Sequence, residues 1–128
     1  MIKLPLIVIF LLMCLYSIGN AGSTTVWWTS PGDDSLIGTA YAYDLRYAIF
    51  SINDVNWEQA TPFDVSPVPL IAGTRQSATQ ANLEDGVLHY FGIKTVDENG
   101  NWSLLSNIDS VVVRSIGPPQ FIWREEAQ

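Results

Sequence analysis

The clearest pattern in the chain lies between Leu83 and Ser103. His89, Phe91, Ile93 and Thr95 alternate with Tyr90, Gly92, Lys94 and Val96, and a period of two predicts a strand. Glu84-Asp-Gly86 precedes it as a turn, and Asp97-Glu-Asn-Gly-Asn101 follows it as a loop. Weaker versions of the pattern recur along the chain. Thr24, Val26 and Trp28 alternate with Thr25 and Trp27 until Pro31-Gly-Asp-Asp34 breaks the run. Tyr41 to Tyr47 alternates again, with Tyr43, Leu45 and Tyr47 on one face. Gln76 to Leu83 is a weak strand, and Ile108 to Arg114 closes the set with Val111, Val112 and Val113. Pro62, Pro67 and Pro69 punctuate the middle, where proline belongs to loops and sheet edges. Short strands with turn signals between them and no amphipathic helix predict an all-β, antiparallel two-sheet sandwich.

The two ends break the pattern. Leu4 to Leu15 is apolar except for Pro5, follows Lys3 and leads to the small residues of Gly19-Asn-Ala21. This is the layout of a secretory signal cut after Ala21. The run is shorter than the ~20 apolar residues a membrane span needs, so an uncleaved anchor is the less favoured alternative. Lipid modification of Cys14 is less favoured again, because Met13 stands where a small residue is wanted. Residues 1–21 are thus read as a signal peptide, 23–115 as the domain and 116–128 as a C-terminal tail. Such a protein is secreted, to the extracellular space or a periplasm, and meets the membrane only during export. Past Gly117-Pro-Pro119 the tail carries Phe121, Ile122 and Trp123 together.

Composition narrows the chemistry. Among 128 residues there are 13 acidic and six basic ones, a net charge of −7. Removing Lys3 makes the mature chain more acidic still, and a phosphate backbone would repel it; nucleic acid is not an expected partner. The only cysteine, Cys14, leaves with the signal, and with it any disulfide, thiol nucleophile or thiolate metal site.

Several motifs occur in one order. Val26-Trp-Trp-Thr-Ser-Pro31, Tyr43-Asp-Leu-Arg-Tyr47, Asn56-Trp57, Ala72-Gly-Thr74, Gly100-Asn-Trp-Ser103 and Leu105-Ser-Asn107 follow one another around the strong strand. In that order they resemble a fibronectin type III domain, of the variety common in secreted bacterial proteins, over about Ser23 to Ser115. The resemblance implies an immunoglobulin-like sandwich, with Trp28 in the core on strand B and Tyr43, Leu45 and Tyr47 on strand C. It also implies Leu83, His89, Phe91 and Ile93 on and before strand F, and Trp102 packed under the FG loop. Two features depart from it. His89 stands where the family has a corner tyrosine bonded to upstream backbone, which implies a weaker corner. Strand A is also missing from the pattern, since only Gly22 and Ser23 separate the cut from strand B. An open edge invites pairing. Three outcomes follow: the tail covers it, a strand of another molecule covers it in strand-mediated self-association, or the tail stays unordered.

Few residues suggest chemistry. His89 is the only histidine; it lacks the companions a metal site requires, and no Gly-x-Ser-x-Gly elbow accompanies it. A structural role is expected for it, and no enzymatic activity. Asp33, Asp34, Asp97 and Glu98 fall in two loops that the resemblance implies share a pole of the fold. They form a candidate calcium site, set against the ordinary preference of such residues for turns; no other cofactor is expected. Five tryptophans are many for this length. Trp27, Trp57 and Trp123 are candidate binding residues, because flat aromatic surfaces stack on sugars or anchor protein contacts. The expected function is a non-catalytic protein-interaction or spacer module with an unknown protein partner. The alternative is a polysaccharide-binding accessory module.

Overall fold

A computed structural model describes residues 13–17, 22–32 and 38–115. Its strands are β1 (Met13–Ser17), β2 (Thr24–Thr29), β3 (Ala42–Ala48), β4 (Thr61–Pro62), β5 (Arg75–Gln80), β6 (Leu88–Val96) and β7 (Asp109–Val112). A 3-10 turn spans Trp57–Gln59. Every described pairing is antiparallel. One sheet has the order β1-β2-β5 and the other β4-β3-β6-β7.

The alternating residues explain how the sheets face each other. Val26 and Trp28 of β2, Tyr43 and Leu45 of β3, Phe91 and Ile93 of β6, and Phe63, Leu83 and Val113 from the flanking chain make one buried cluster. Trp28 meets Tyr43 edge to face at 5.1 Å, and Phe63 meets Phe91 likewise at 6.2 Å. Burying such side chains contributes roughly 1.5–3 kcal/mol each, and no covalent bridge is needed.

A second cluster sits on the outer face of the four-stranded sheet. Ala48, Ile52, Trp57 and Ala60 pack there with Tyr90, Leu105 and Ile108. Gly92 makes room for it: a Cβ at that position would lie 2.9 Å from Ile108 Cδ1 and 3.2 Å from Trp57 Cζ3. Trp57, a candidate binding residue above, is therefore buried. Arg46 and Lys94 lie over its ring at 5.2 and 5.1 Å from the centroid.

The place expected for a missing strand A is filled in the full-length chain. Met13–Ser17, assigned above to the signal peptide, runs antiparallel to β2, with Met13 opposite Trp27, Cys14 opposite Val26 and Ser17 opposite Thr24. Five apolar or neutral residues serve equally as a signal core or a strand, and periodicity cannot separate the two in so short a run. The tail residues 116–128, including Phe121, Ile122 and Trp123, lie outside the described residues, as do Ala21, Asp33 and Asp34.

Two serines continue the β6 ladder where β7 has not yet begun. The Thr95 N–H donates to Ser103 Oγ and the Ile93 N–H to Ser106 Oγ, while Ser103 and Ser106 donate their own N–H groups to the Thr95 and Ile93 carbonyls. Each hydroxyl thus stands in for a strand carbonyl.

Candidate interaction surface

β2 and β6 end, and β3 and β5 begin, at the same end of the sandwich. The segment between β4 and β5 arrives there by running along the flank. It holds no strand between Phe63 and Thr74, yet its backbone is tied down repeatedly. The Phe63 N–H donates to the Leu45 carbonyl at 2.8 Å, and the Asp64 N–H donates to Gln80 Oε1 at 2.8 Å. The Leu70 N–H donates to Gln76 Oε1 at 3.0 Å, and Gln76 Nε2 donates to the Val68 carbonyl at 2.9 Å. Ala72 and Gly73 donate to the Gly38 and Ser30 carbonyls. Pro69 is buried, and the prolines hold φ near one value.

Gln76 is the centre of this latch. Its Oε1 also accepts hydrogen bonds from Ser30 Oγ and the Tyr43 hydroxyl, each at 2.7 Å. Gln80 repeats the device two repeats of the strand pattern away, with Nε2 donating to Asp64 Oδ2 and the Ala81 carbonyl. Both glutamines are buried. Burial pushes the Tyr43 phenol above its ordinary value of 10.0, against smaller opposing effects of the neighbouring Ser30 and Trp28 side chains. Tyr47 is raised too, by burial and then by the charge of Asp64.

The outcome is an exposed apolar segment on a fixed backbone. Val65, Val68, Leu70 and Ile71 are 71, 77, 46 and 65 % exposed. Tyr41, Trp102 and Leu104 are exposed at the same end, from the chain flanking β3 and β6. Trp102, expected beneath the FG loop, bridges Val96 through its backbone while about half its side chain faces solvent.

The other candidates are placed as follows. Trp27 is half-buried on the outer side of β2, with the Arg75 guanidinium 5.1 Å from its ring centroid. The Asp97 carboxylate is occupied within its own turn: it accepts from the N–H groups of Asn99 and Asn101 and from Asn101 Nδ2. Glu98 is exposed, and the described residues contain no group of three acidic, histidine or cysteine side chains able to hold a metal. His89 is buried beside Tyr47 and Phe91, and its Nδ1 lies 2.9 Å from the Val87 carbonyl. A carbonyl only accepts, so Nδ1 carries the proton. The acceptor sits two residues upstream, which matches the short reach of an imidazole. Trp28, Tyr43, Leu45, Leu83, Phe91 and Ile93 are in the core, with Tyr47 packed against it.

Gln76 and Gln80 were not singled out above. Their signal was available: both fall in phase with the inward side of β5, four residues apart, where a glutamine side chain must meet the core.

Two facing antiparallel sheets, ordered β1-β2-β5 and β4-β3-β6-β7, make the architecture that is similar to solved structures. The solution structure of the third fibronectin III domain of the human KIAA0343 protein superposes with a TM-score of 0.52 at 14% identity, over 92% of this chain and 90% of that one. The chain has the fibronectin type III fold. A structure described as a myokine structure aligns over 84% of this chain and 98% of that chain, with a TM-score of 0.49 and 13% identity. No protein-family model and no curated protein sequence matches the chain. The latched segment occupies the path from β4 to β5, and the exposed aromatic residues Tyr41 and Trp102 lie beside the start of β3 and the end of β6.

Proposed function

We propose that this protein is an exported, non-catalytic fibronectin type III module that binds another protein through the end of the sandwich carrying Tyr41, Leu70, Ile71, Trp102 and Leu104. The observation that carries the reading is the Gln76 latch. Exposed apolar side chains on a loose loop would lose entropy when a partner ordered them; here the ordering is done in advance. Export rests on the signal pattern of residues 1–21, and the acidic charge disfavours nucleic acid as a partner. The polysaccharide reading is weaker, because Trp57 is buried and Arg75 covers Trp27. A calcium role is weaker too, with Asp97 committed to its turn.

The test is a photo-crosslinking amino acid placed at Ile71, at Trp102 and, as a control, at Glu84, in the protein expressed by its own cells. A discrete adduct from Ile71 and Trp102 that Glu84 does not give supports the reading. Equal adducts from all three, or none from the first two, contradict it.

A further inference from the structure

The edge of β2 opposite β5 is the place where the fold and the signal reading compete for the same residues. In the full chain Met13–Ser17 pairs there. A cut after Ala21 removes that strand and leaves β2 with one neighbour. We propose that the shortened chain then pairs this edge with the same edge of a second copy, β2 against β2, giving a two-fold dimer with a continuous β5-β2-β2-β5 sheet. The proposal rests on the signal reading above.

Three observations support a second copy as the occupant. First, the edge accepts an antiparallel strand, because one is seated on it. That strand fits imperfectly: its register shifts between Cys14 and Ser17, whereas β2 and β5 pair without interruption from Thr24–Gln80 to Thr29–Arg75. Second, the edge lacks the usual defences. Gly22 to Ser30 contains no charged residue and no proline, the devices by which edge strands normally avoid pairing. Third, a self-complementary edge is what a two-fold dimer needs. Thr24-Thr-Val-Trp-Trp-Thr29 is neutral and rich in residues that favour strands, so no like charges oppose one another across the pair. The rest of the molecule is acidic, so its repulsion is long-ranged and screened by salt.

The full-length chain carrying a specific protease sequence in place of residues 18–21 is purified folded and then cut. Sedimentation velocity before and after cutting reads the assembly, alongside a separately produced 22–128 chain checked for native near-ultraviolet dichroism. The full chain is expected as a monomer. The cut chain and the 22–128 chain are expected to double in mass, more completely at higher salt. Thr25→Lys or Trp27→Lys should return each to a monomer with its dichroism kept, and an excess of Met13–Ser17 peptide flanked by lysines should do the same. A monomeric cut chain overturns the proposal, as does a dimer indifferent to both lysines and the peptide. N-terminal sequencing of the exported protein tests the signal reading by itself. If Met13–Ser17 is retained, the trigger fails, while the cut-chain masses still decide whether the edge accepts a second copy.

Discussion

Gln76 illustrates how one side chain organises a surface it does not reach. One carbonyl oxygen takes three donors and one amide nitrogen serves the Val68 carbonyl. Gln76→Leu keeps most of the volume and removes every partner. Each buried polar group left unpaired costs about 1–3 kcal/mol, so a loss of at least about 3 kcal/mol is expected in urea unfolding. The neighbouring tyrosines give a pH signature. Tyr43 and Tyr47 hold their protons in the folded protein to higher pH than in the unfolded chain. The folded state therefore binds more protons once the unfolded phenols ionise. The stability they contribute is complete below the ordinary tyrosine value of 10.0 and falls as pH rises through and beyond it. Unfolding midpoints should stay level from about pH 8 until the unfolded phenols begin to ionise and decline above about pH 10, and Tyr43→Phe should flatten the decline. Tyr43 and Trp28 were legible as core through the motifs that resemble strands B and C, and both are buried. The sequence left Gln76 obscure, because glutamine is mostly found exposed and its partners come from distant loops.

The elements themselves were legible where alternation was strong. The run expected from His89 to Val96 is β6 (Leu88–Val96), and β2, β3, β5 and β7 lie where the weaker patterns predicted them. β1 was hidden by its resemblance to a signal core. The burial of Trp57 was hidden because it depends on Gly92, 35 positions along the chain, leaving a hollow in the face of a different strand. That hollow is testable. In Gly92→Ala the new methyl meets Ile108, Trp57 and Leu105 at 2.9, 3.2 and 3.3 Å. Overpacking of this kind costs about 1–3 kcal/mol, and Trp57 should gain exposure to an aqueous quencher. Gly22 is expected to tolerate change less well. Its φ is +73°, and a Cβ would stand 2.7 Å from Val113 Cγ1 and 2.8 Å from the Leu83 carbonyl oxygen. Gly22→Ala combines backbone strain with a clash at the seam between the start of β2 and the end of β7, and should lower the thermal midpoint more than Gly92→Ala.

For the molecule as a whole, the sandwich is held by one core between the sheets and a smaller one outside the second sheet. Its display end depends on polar contacts made from within. If the segment from Asp64 to Ala72 is a prepared binding surface, it must be ordered before any partner arrives. Amide hydrogen exchange of the full-length protein measures this directly. The Leu70 and Asp64 amides, bonded to Gln76 and Gln80, should exchange far more slowly than those of an unstructured peptide. In Gln76→Leu, Leu70 should lose that protection while Asp64 keeps it. Leu70 exchanging in the unaltered protein at the rate of an unstructured peptide would contradict the account.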